Sequence, residues 1–148
     1  MFTTDHGGMA LSIKDAKLST SHTASTWNTR LSQIGRSNKK IIICTYSLPS
    51  LEYLKRIFEK RTENITLIAH EKFADKANYL KELYPDLEII LKPDVHAKYV
   101  LIEPDTVWMS SANFGSSGWF EQTIGIHDKD AYEFMLSQTE RYLKRGEE

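Results

Sequence analysis

Residues 96–113 constrain the fold of this chain more than any other stretch. They read HAKYVLIEPDTVWMSSAN, in which two strand-like apolar runs, 98–103 and 106–111, are separated by Pro104 and Asp105. Runs of this length around a proline-containing break are typical of consecutive strands. The stretch therefore predicts two neighbouring strands joined by a hairpin-like connection.

Four polar side chains flank these predicted strands. His96 and Lys98 are two residues apart, as are Ser111 and Asn113, and on a strand such pairs share a face. A neutral imidazole, whose reference pKa is about 6.5, is a competent nucleophile near neutral pH. Lysine, serine and asparagine supply charge and hydrogen bonds to phosphate oxygens. Because phosphoryl transfer mainly needs positioning and charge neutralisation, the set predicts metal-independent phosphodiester chemistry without a cofactor.

The stretch as a whole, H-x-K-x4-E-x6-S-S-x-N, resembles the signature of the phospholipase D superfamily, H-x-K-x4-D-x6-G-S-x-N. The resemblance implies an α/β layered fold in which helices flank a mixed sheet. It also implies a phosphohistidine formed on His96, with Lys98, Ser111 and Asn113 holding the phosphate. The superfamily uses two motifs per active site and this chain has one. Like the small bacterial endonucleases of that superfamily, the chain is therefore expected to form a homodimer with the site at its two-fold interface.

Three positions depart from the superfamily pattern. Glu103 stands where the family has an aspartate with a structural role, and Ser110 replaces a glycine beside the phosphate. Thr123 occupies the place of the acid that orients the catalytic histidine. Glu121 lies two residues earlier, on the same face of a strand, and is predicted to orient His96 instead.

Narrower roles are expected for several other residues. Lys92, at the end of a predicted strand beside the motif, is a candidate second phosphate contact, and Trp119 could stack on a nucleobase or pack in the core or a dimer. His70 and His127 also begin H-x-K sequences but lack the downstream S-x-N. Surface or capping roles are favoured for both, with a place in the pocket left open. Cys44 lies in an apolar run and is predicted to be a buried thiol.

The remaining pattern predicts a single domain over residues 1–148, with 1–21 poorly determined. The alternation of strands and helices, followed by consecutive strands, favours an α/β fold with a mixed sheet. Helices are predicted over 22–36, 49–62, 71–84 and 129–145, and strands over 39–48, 65–69, 87–91 and 123–127 in addition to the two motif strands.

Charge and hydropathy limit the partners. The formal net charge is -1, which gives no general support for non-specific nucleic-acid binding, so the site must be a local patch or the substrate small. The chain has neither an apolar run long enough to span a membrane nor a signal-peptide pattern, and a cytoplasmic location is expected. The favoured function is a homodimeric nuclease acting on nucleic acid. A catalytically weak or inactive module that binds nucleic acid or a protein remains an alternative, as does, less favoured, a phospholipase.

Overall fold

The apolar run Ile41–Cys44 forms an interior strand of the sheet, and every residue in it is buried. The computed structural model describes residues 11–22, 30–31 and 34–145. This run pairs in parallel with the strand Ile65–His70 and antiparallel with the strand Tyr99–Ile102. A strand with neighbours on both edges and cover on both faces has no solvated side, which explains why it carries no polar alternation.

The elements of the described residues are numbered in chain order. The strands are β1 (Ala16–His22), β2 (Ile41–Cys44), β3 (Ile65–His70), β4 (Glu88–Lys92), β5 (Tyr99–Ile102), β6 (Thr106–Ser110) and β7 (Phe120–His127). The helices are α1 (Leu51–Phe58), α2 (Ala74–Leu83) and α3 (Lys129–Leu143), with a short 3₁₀ turn at Glu71–Phe73.

The strands of the described residues form one mixed sheet in the order β1-β7-β6-β5-β2-β3-β4. β2, β3 and β4 are parallel, whereas β5, β6, β7 and β1 add to the sheet in antiparallel fashion. α1 and α2 bury Leu54, Phe58 and Leu80 against one face. α3 buries Ala131 and Tyr132 against the other. The predicted α/β fold with a mixed sheet between helices is confirmed.

The largest difference from the sequence-based prediction is at the amino-terminal end. Residues 16–22 form an edge strand that pairs with β7 along its whole length, although their polar, mostly exposed side chains show no core-facing pattern. His22 therefore ends a strand rather than beginning the predicted helix 22–36. Most of that helix lies outside the described residues, but Leu31 and Ile34 are buried as predicted, and 34–36 form a turn.

Several predicted boundaries also shift by a few residues. α1 begins after Ser50, whose Oγ accepts the N–H of Tyr53 at 3.2 Å as an N-cap. β5 begins one residue later than predicted, yet the carbonyl of Lys98 still accepts the N–H of Ser110 at 3.0 Å. In the described part of the chain, no helix is both long and apolar enough to cross a membrane.

Gly125 leaves room for the indole of Trp108 on the neighbouring strand β6. A Cβ at this position would lie 2.5 Å from the ring of Trp108, its cross-strand partner. Substituting Gly125→Ala should therefore force the indole to move, and overpacking of this kind costs about 1–3 kcal/mol of unfolding free energy. Urea denaturation of the purified variant would measure the loss.

The matched control for this prediction is Gly118→Ala, because nothing lies within 4 Å of a Cβ built there. Equal stability of the two variants would contradict the proposed packing of Trp108 on Gly125.

Candidate active site

The polar motif residues lie close together because β2 and β6 end, and β5 and β7 begin, at the same end of the sheet. Tyr99, the first residue of β5, pairs with Cys44 at the end of β2 and with Met109 near the end of β6. Ser110, which ends β6, pairs with Thr123 near the start of β7. The segments 45–47, 96–98 and 110–113 lie just beyond these pairs, so the strand register brings them to one place.

His96 and Lys98 lie in the segment that leads into β5. The Nζ atom of Lys98 is 3.4 Å from Nδ1 of His96. The imidazole is exposed, and its ring centroid is 5.2 Å from that of Tyr46, which follows β2. The pair predicted from the H-x-K spacing is therefore in contact, with one ring face supported by an aromatic side chain.

Asn113 is held by the loop that follows β2. Its Oδ1 accepts hydrogen bonds from the hydroxyl of Thr45 at 3.3 Å and from the N–H groups of Tyr46 and Ser47, each at 3.2 Å. Because the carbonyl oxygen is occupied, the orientation of the amide is defined, and its NH₂ group makes no hydrogen bond to any residue in the described ranges. That NH₂ group is a positioned donor.

Ser111 connects the motif to β7. Its Oγ accepts the N–H of Gln122 at 2.9 Å, continuing the strand pairing beyond Ser110. Ser111 and Asn113 line a cavity of about 450 Å³ together with Glu121 and Trp119, among others. Trp119 is 78% exposed. His96 does not line this cavity, so the structure groups the motif residues as two adjoining pairs.

The two departures from the superfamily pattern at Ser110 and Thr123 contact each other. Their hydroxyl oxygens are 3.0 Å apart, and Ser110 Oγ also accepts the N–H of Ala112 at 3.0 Å. Thr123 Oγ1 accepts a hydrogen bond from the buried guanidinium of Arg30 at 3.2 Å. A polar connection thus runs from Arg30 through Thr123 and Ser110 to the backbone of the motif turn. The hydroxyl of Ser110 is engaged with β7.

Arg30 was not identified from the sequence, because its position in a predicted helix carries no sign of contact with the motif. Burial lowers the pKa of Arg30 to about 10, an effect opposed by its electrostatic interaction with Tyr53 and Glu121. The guanidinium therefore stays charged at neutral pH, beneath the strand that carries Thr123. A buried positive charge here adds to the potential that an anionic ligand would meet.

The structure gives no contact for the role predicted for Glu121, orientation of His96. The Glu121 carboxylate interacts electrostatically with Arg30, and in the part of the chain that the structure describes no carboxylate contacts His96. Orientation of His96 by Glu121 thus remains a prediction without a supporting contact.

Glu103 lies at the other end of β5, where its Oε1 accepts the N–H of Lys40 at 2.6 Å and its own N–H donates to the Lys40 carbonyl at 3.1 Å. These bonds hold β5 to the start of β2.

Lys92 is directed at α3. Its Nζ donates to the carbonyl of Arg145 at 3.2 Å and lies 5.1 Å from the ring centroid of Tyr142, and its role as a phosphate contact remains a prediction. His70 and His127 make local contacts: Nδ1 of His70 accepts the N–H of Lys72 at 3.0 Å, capping the 3₁₀ turn, and Nδ1 of His127 lies 3.1 Å from Thr106 Oγ1.

Cys44 lies directly behind the motif segment. Its Sγ is 3.6 Å from the carbonyl oxygen of Ala97, and the side chain is 1% exposed, as predicted for a buried thiol. Burial raises the pKa of Cys44 to about 12, although a hydrogen bond with Tyr99 lowers it slightly. At pH 8 the thiolate is then roughly one part in 10,000 of the thiol.

We expect native Cys44 to react with a disulfide reagent such as DTNB orders of magnitude more slowly than an exposed thiol at pH 8. Unfolding in urea should restore the ordinary rate, because both burial and the raised pKa are lost. The release of thionitrobenzoate measures both rates on the same sample. Rapid labelling of the native protein would contradict the burial of this residue.

Fold and motif geometry together define a phospholipase D-like domain. Residues 31–142 match the family described as cardiolipin synthase, PLD-like domain, and the chain belongs to this family. Among curated proteins, none is significantly similar in sequence.

Solved structures share the fold at low identity. The phospholipase D family member Nuc from Salmonella typhimurium has a TM-score of 0.66 and 18% identity, over 84% of this chain and 90% of that one. NucT from Helicobacter pylori has a TM-score of 0.65 and 18% identity, over 88% and 97%. TrmBL2, described as an archaeal chromatin protein with a novel mode of DNA binding, has a TM-score of 0.65 and 7% identity, over 92% and 54%.

Proposed function

We propose that this protein is a metal-independent phosphodiesterase that cleaves nucleic acid through a phosphohistidine on His96. The observation that carries the proposal is the contact between Lys98 Nζ and His96 Nδ1, at the sheet edge where Asn113 presents its amide. A candidate nucleophile and cation thus adjoin a candidate neutral donor at one end of the sheet of a phospholipase D-like domain.

The proposed reaction has two displacements at phosphorus. A ring nitrogen of His96 attacks, a P–N bond forms, and the bond to the leaving oxygen breaks as that oxygen takes a proton from a general acid. Water then attacks the phosphohistidine, gives its proton to the same group acting as a base, and the P–N bond breaks. Lys98 neutralises charge on the non-bridging oxygens, while Ser111 and the Asn113 amide donate hydrogen bonds to them.

The contact with Lys98 bears on which nitrogen attacks. An ammonium only donates, so Nδ1 of His96 is the acceptor in this contact, and the neutral ring carries its proton on Nε2. A bound phosphate would draw the ammonium to its own oxygens and leave Nδ1 free to take the proton. The lone pair of Nε2 is then available for attack. Substrate binding would in this way select the reactive tautomer.

A homodimer would supply the general acid. The chain has one complete motif, and no second histidine makes direct contact with His96 within the described ranges. In an isologous dimer, His96 of a second protomer can face the first across the two-fold axis. The second imidazole then protonates the leaving oxygen and later activates water.

Nucleic acid is proposed as the substrate because of Trp119. The indole is 78% exposed and lines the cavity that also contains Ser111 and Asn113. An exposed aromatic side chain next to a phosphate site can stack on a base, and such stacking contributes about 1–3 kcal/mol per base.

An alternative is a module that binds nucleic acid or a protein with little or no turnover. Two observations favour it: Thr123 contacts Arg30 and Ser110, and no carboxylate orients His96 among the described residues. Loss of an orienting acid weakens catalysis more than it weakens phosphate binding. Oligonucleotide binding without hydrolysis by the parent protein, unchanged in His96→Ala, would establish this alternative.

Cleavage in excess EDTA tests the leading proposal. Circular single-stranded DNA, duplex plasmid and RNA are each incubated with the parent protein and with His96→Ala, and the products are separated on gels. We expect at least one polymer to be cut by the parent protein and none to be cut by the variant, because the nucleophile is gone.

His127→Ala is the control, since His127 also begins an H-x-K sequence but contacts Thr106, outside the site. Cleavage that survives in His96→Ala would overturn the assignment of the nucleophile. If the parent protein cuts no polymer, hydrolysis of anionic phospholipid vesicles is tested next. The reason is that the description of the matching family names cardiolipin synthase, an enzyme that acts on lipids.

A further inference from the structure

A second histidine–lysine sequence lies beside the first in space. His70 and Lys72 also match H-x-K, and His70 ends β3, the parallel neighbour of β2. The N–H of His70 donates to the carbonyl of Tyr46 at 3.1 Å. Parallel pairing thus carries a histidine that is 26 residues distant in sequence to the edge of the site.

Both imidazoles contact the ring of Tyr46. Its ring centroid is 5.2 Å from that of His96 and 5.1 Å from that of His70, with interplanar angles of 48° and 55°. Phe73 packs on the tyrosine ring in a T-shaped arrangement with a centroid distance of 5.5 Å. Asn113 Oδ1 also accepts the N–H of Tyr46, so hydrogen bonds fix the backbone of the tyrosine that both imidazoles contact.

The hydrogen bond of the His70 ring leaves a donor available. Nδ1 accepts the N–H of Lys72 at 3.0 Å, so the neutral ring carries its proton on Nε2. The side chain is half-buried, and its ring rests on Tyr46. An Nε2–H on a ring held in this way can donate to an anionic oxygen, and hydrogen bonds to charged groups are the stronger ones.

Lys76 adds positive charge to the same loop. Its Nζ lies 3.4 Å from the carbonyl of Leu48, two residues after Tyr46. One long hydrogen bond uses one of the three donors of an ammonium. The ammonium group of Lys76 therefore lies beside the backbone of residues 46–48, which carries the Tyr46 ring.

We propose that His70, supported by the charge of Lys76, forms a second phosphate subsite, which holds the phosphodiester adjacent to the one at His96. The proposal rests on the proposed nuclease function and extends it to the neighbouring nucleotide. Successive phosphates of one strand advance by about 3.4 Å along a duplex axis and lie farther apart when the strand is unstacked. Two imidazoles in contact with one aromatic ring suit that repeat, whereas a substrate with one phosphate would not use both.

Two substitutions separate phosphate binding by His70 from its capping role. His70→Asn can keep an oxygen near the position of Nδ1 for the Lys72 N–H, but it has no donor at the position of Nε2. His70→Gln reaches the position of Nε2 with an amide donor but lacks the cap. A phosphate role requires the asparagine variant to be the weaker binder, and a purely structural role requires the reverse.

Binding is measured in the His96→Ala background, so that nothing is cleaved. Each protein is titrated into a fluorescein-labelled single-stranded DNA dodecamer, and the anisotropy gives Kd. We expect His70→Asn to raise Kd about tenfold, as for the loss of one hydrogen bond to a charged group. His70→Gln should stay within about threefold of its parent, and His127→Asn, far from the site, should have no effect.

Hydrolysis by proteins with His96 intact provides the second readout. His70→Asn should lower kcat/KM for the dodecamer more than for bis(p-nitrophenyl) phosphate, which has a single phosphate. Equal losses of kcat/KM on the two substrates would overturn the subsite. So would weaker dodecamer binding by His70→Gln than by His70→Asn, or a Kd that neither substitution changes.

The subsite and the nuclease proposal can fail independently. Binding that depends on His70 in a protein that cleaves nothing would retain the subsite and reject the nuclease. Cleavage that depends on His96 but not on His70 would do the opposite. A parent protein that does not bind the dodecamer would overturn the subsite.

Discussion

Three hydrogen bonds into the carbonyl oxygen of Asn113 are the constraint on which the rest of the site depends. They come from Thr45, Tyr46 and Ser47, and they join the end of the motif to the loop after β2. The same bonds orient the NH₂ group of the asparagine and hold Tyr46 against His96. One side chain thereby links the candidate donor to phosphate, its own NH₂ group, with the aromatic ring that contacts His96, the proposed nucleophile.

The residues that replace the superfamily pattern form a local structure of their own. Thr123 stands where an acid is expected, and it connects the buried Arg30 to Ser110 rather than reaching His96. Arg30 supplies a buried positive charge beneath this strand, and the Glu121 carboxylate, which lines the cavity with Ser111 and Asn113, interacts with it. Among the described residues, Lys98 and Tyr46 are the side chains that contact the imidazole of His96.

Much of this arrangement could be predicted from the sequence, and the parts that could not have physical reasons. The strands around Val100 and Val107 follow from apolar runs. The two-residue spacing of His96 and Lys98 predicts a shared face of a strand, whereas the two side chains meet in the irregular segment before β5. β1 was missed because an exposed edge strand of serine, threonine and lysine is stabilised by pairing with β7, which leaves no apolar signature. The places of Arg30 and His70 depend on long-range packing and parallel pairing, which residue spacing does not encode.

The central claim, a covalent phosphohistidine on His96, is tested most directly by trapping the intermediate. The protein is mixed with an oligonucleotide in EDTA, quenched in alkaline denaturant because a P–N bond is acid-labile, digested, and analysed by mass spectrometry. We expect a nucleotide adduct on the peptide that contains His96, and this adduct should be lost after brief exposure to acid. Cleavage products that accumulate while this peptide stays unmodified throughout a single turnover would contradict it.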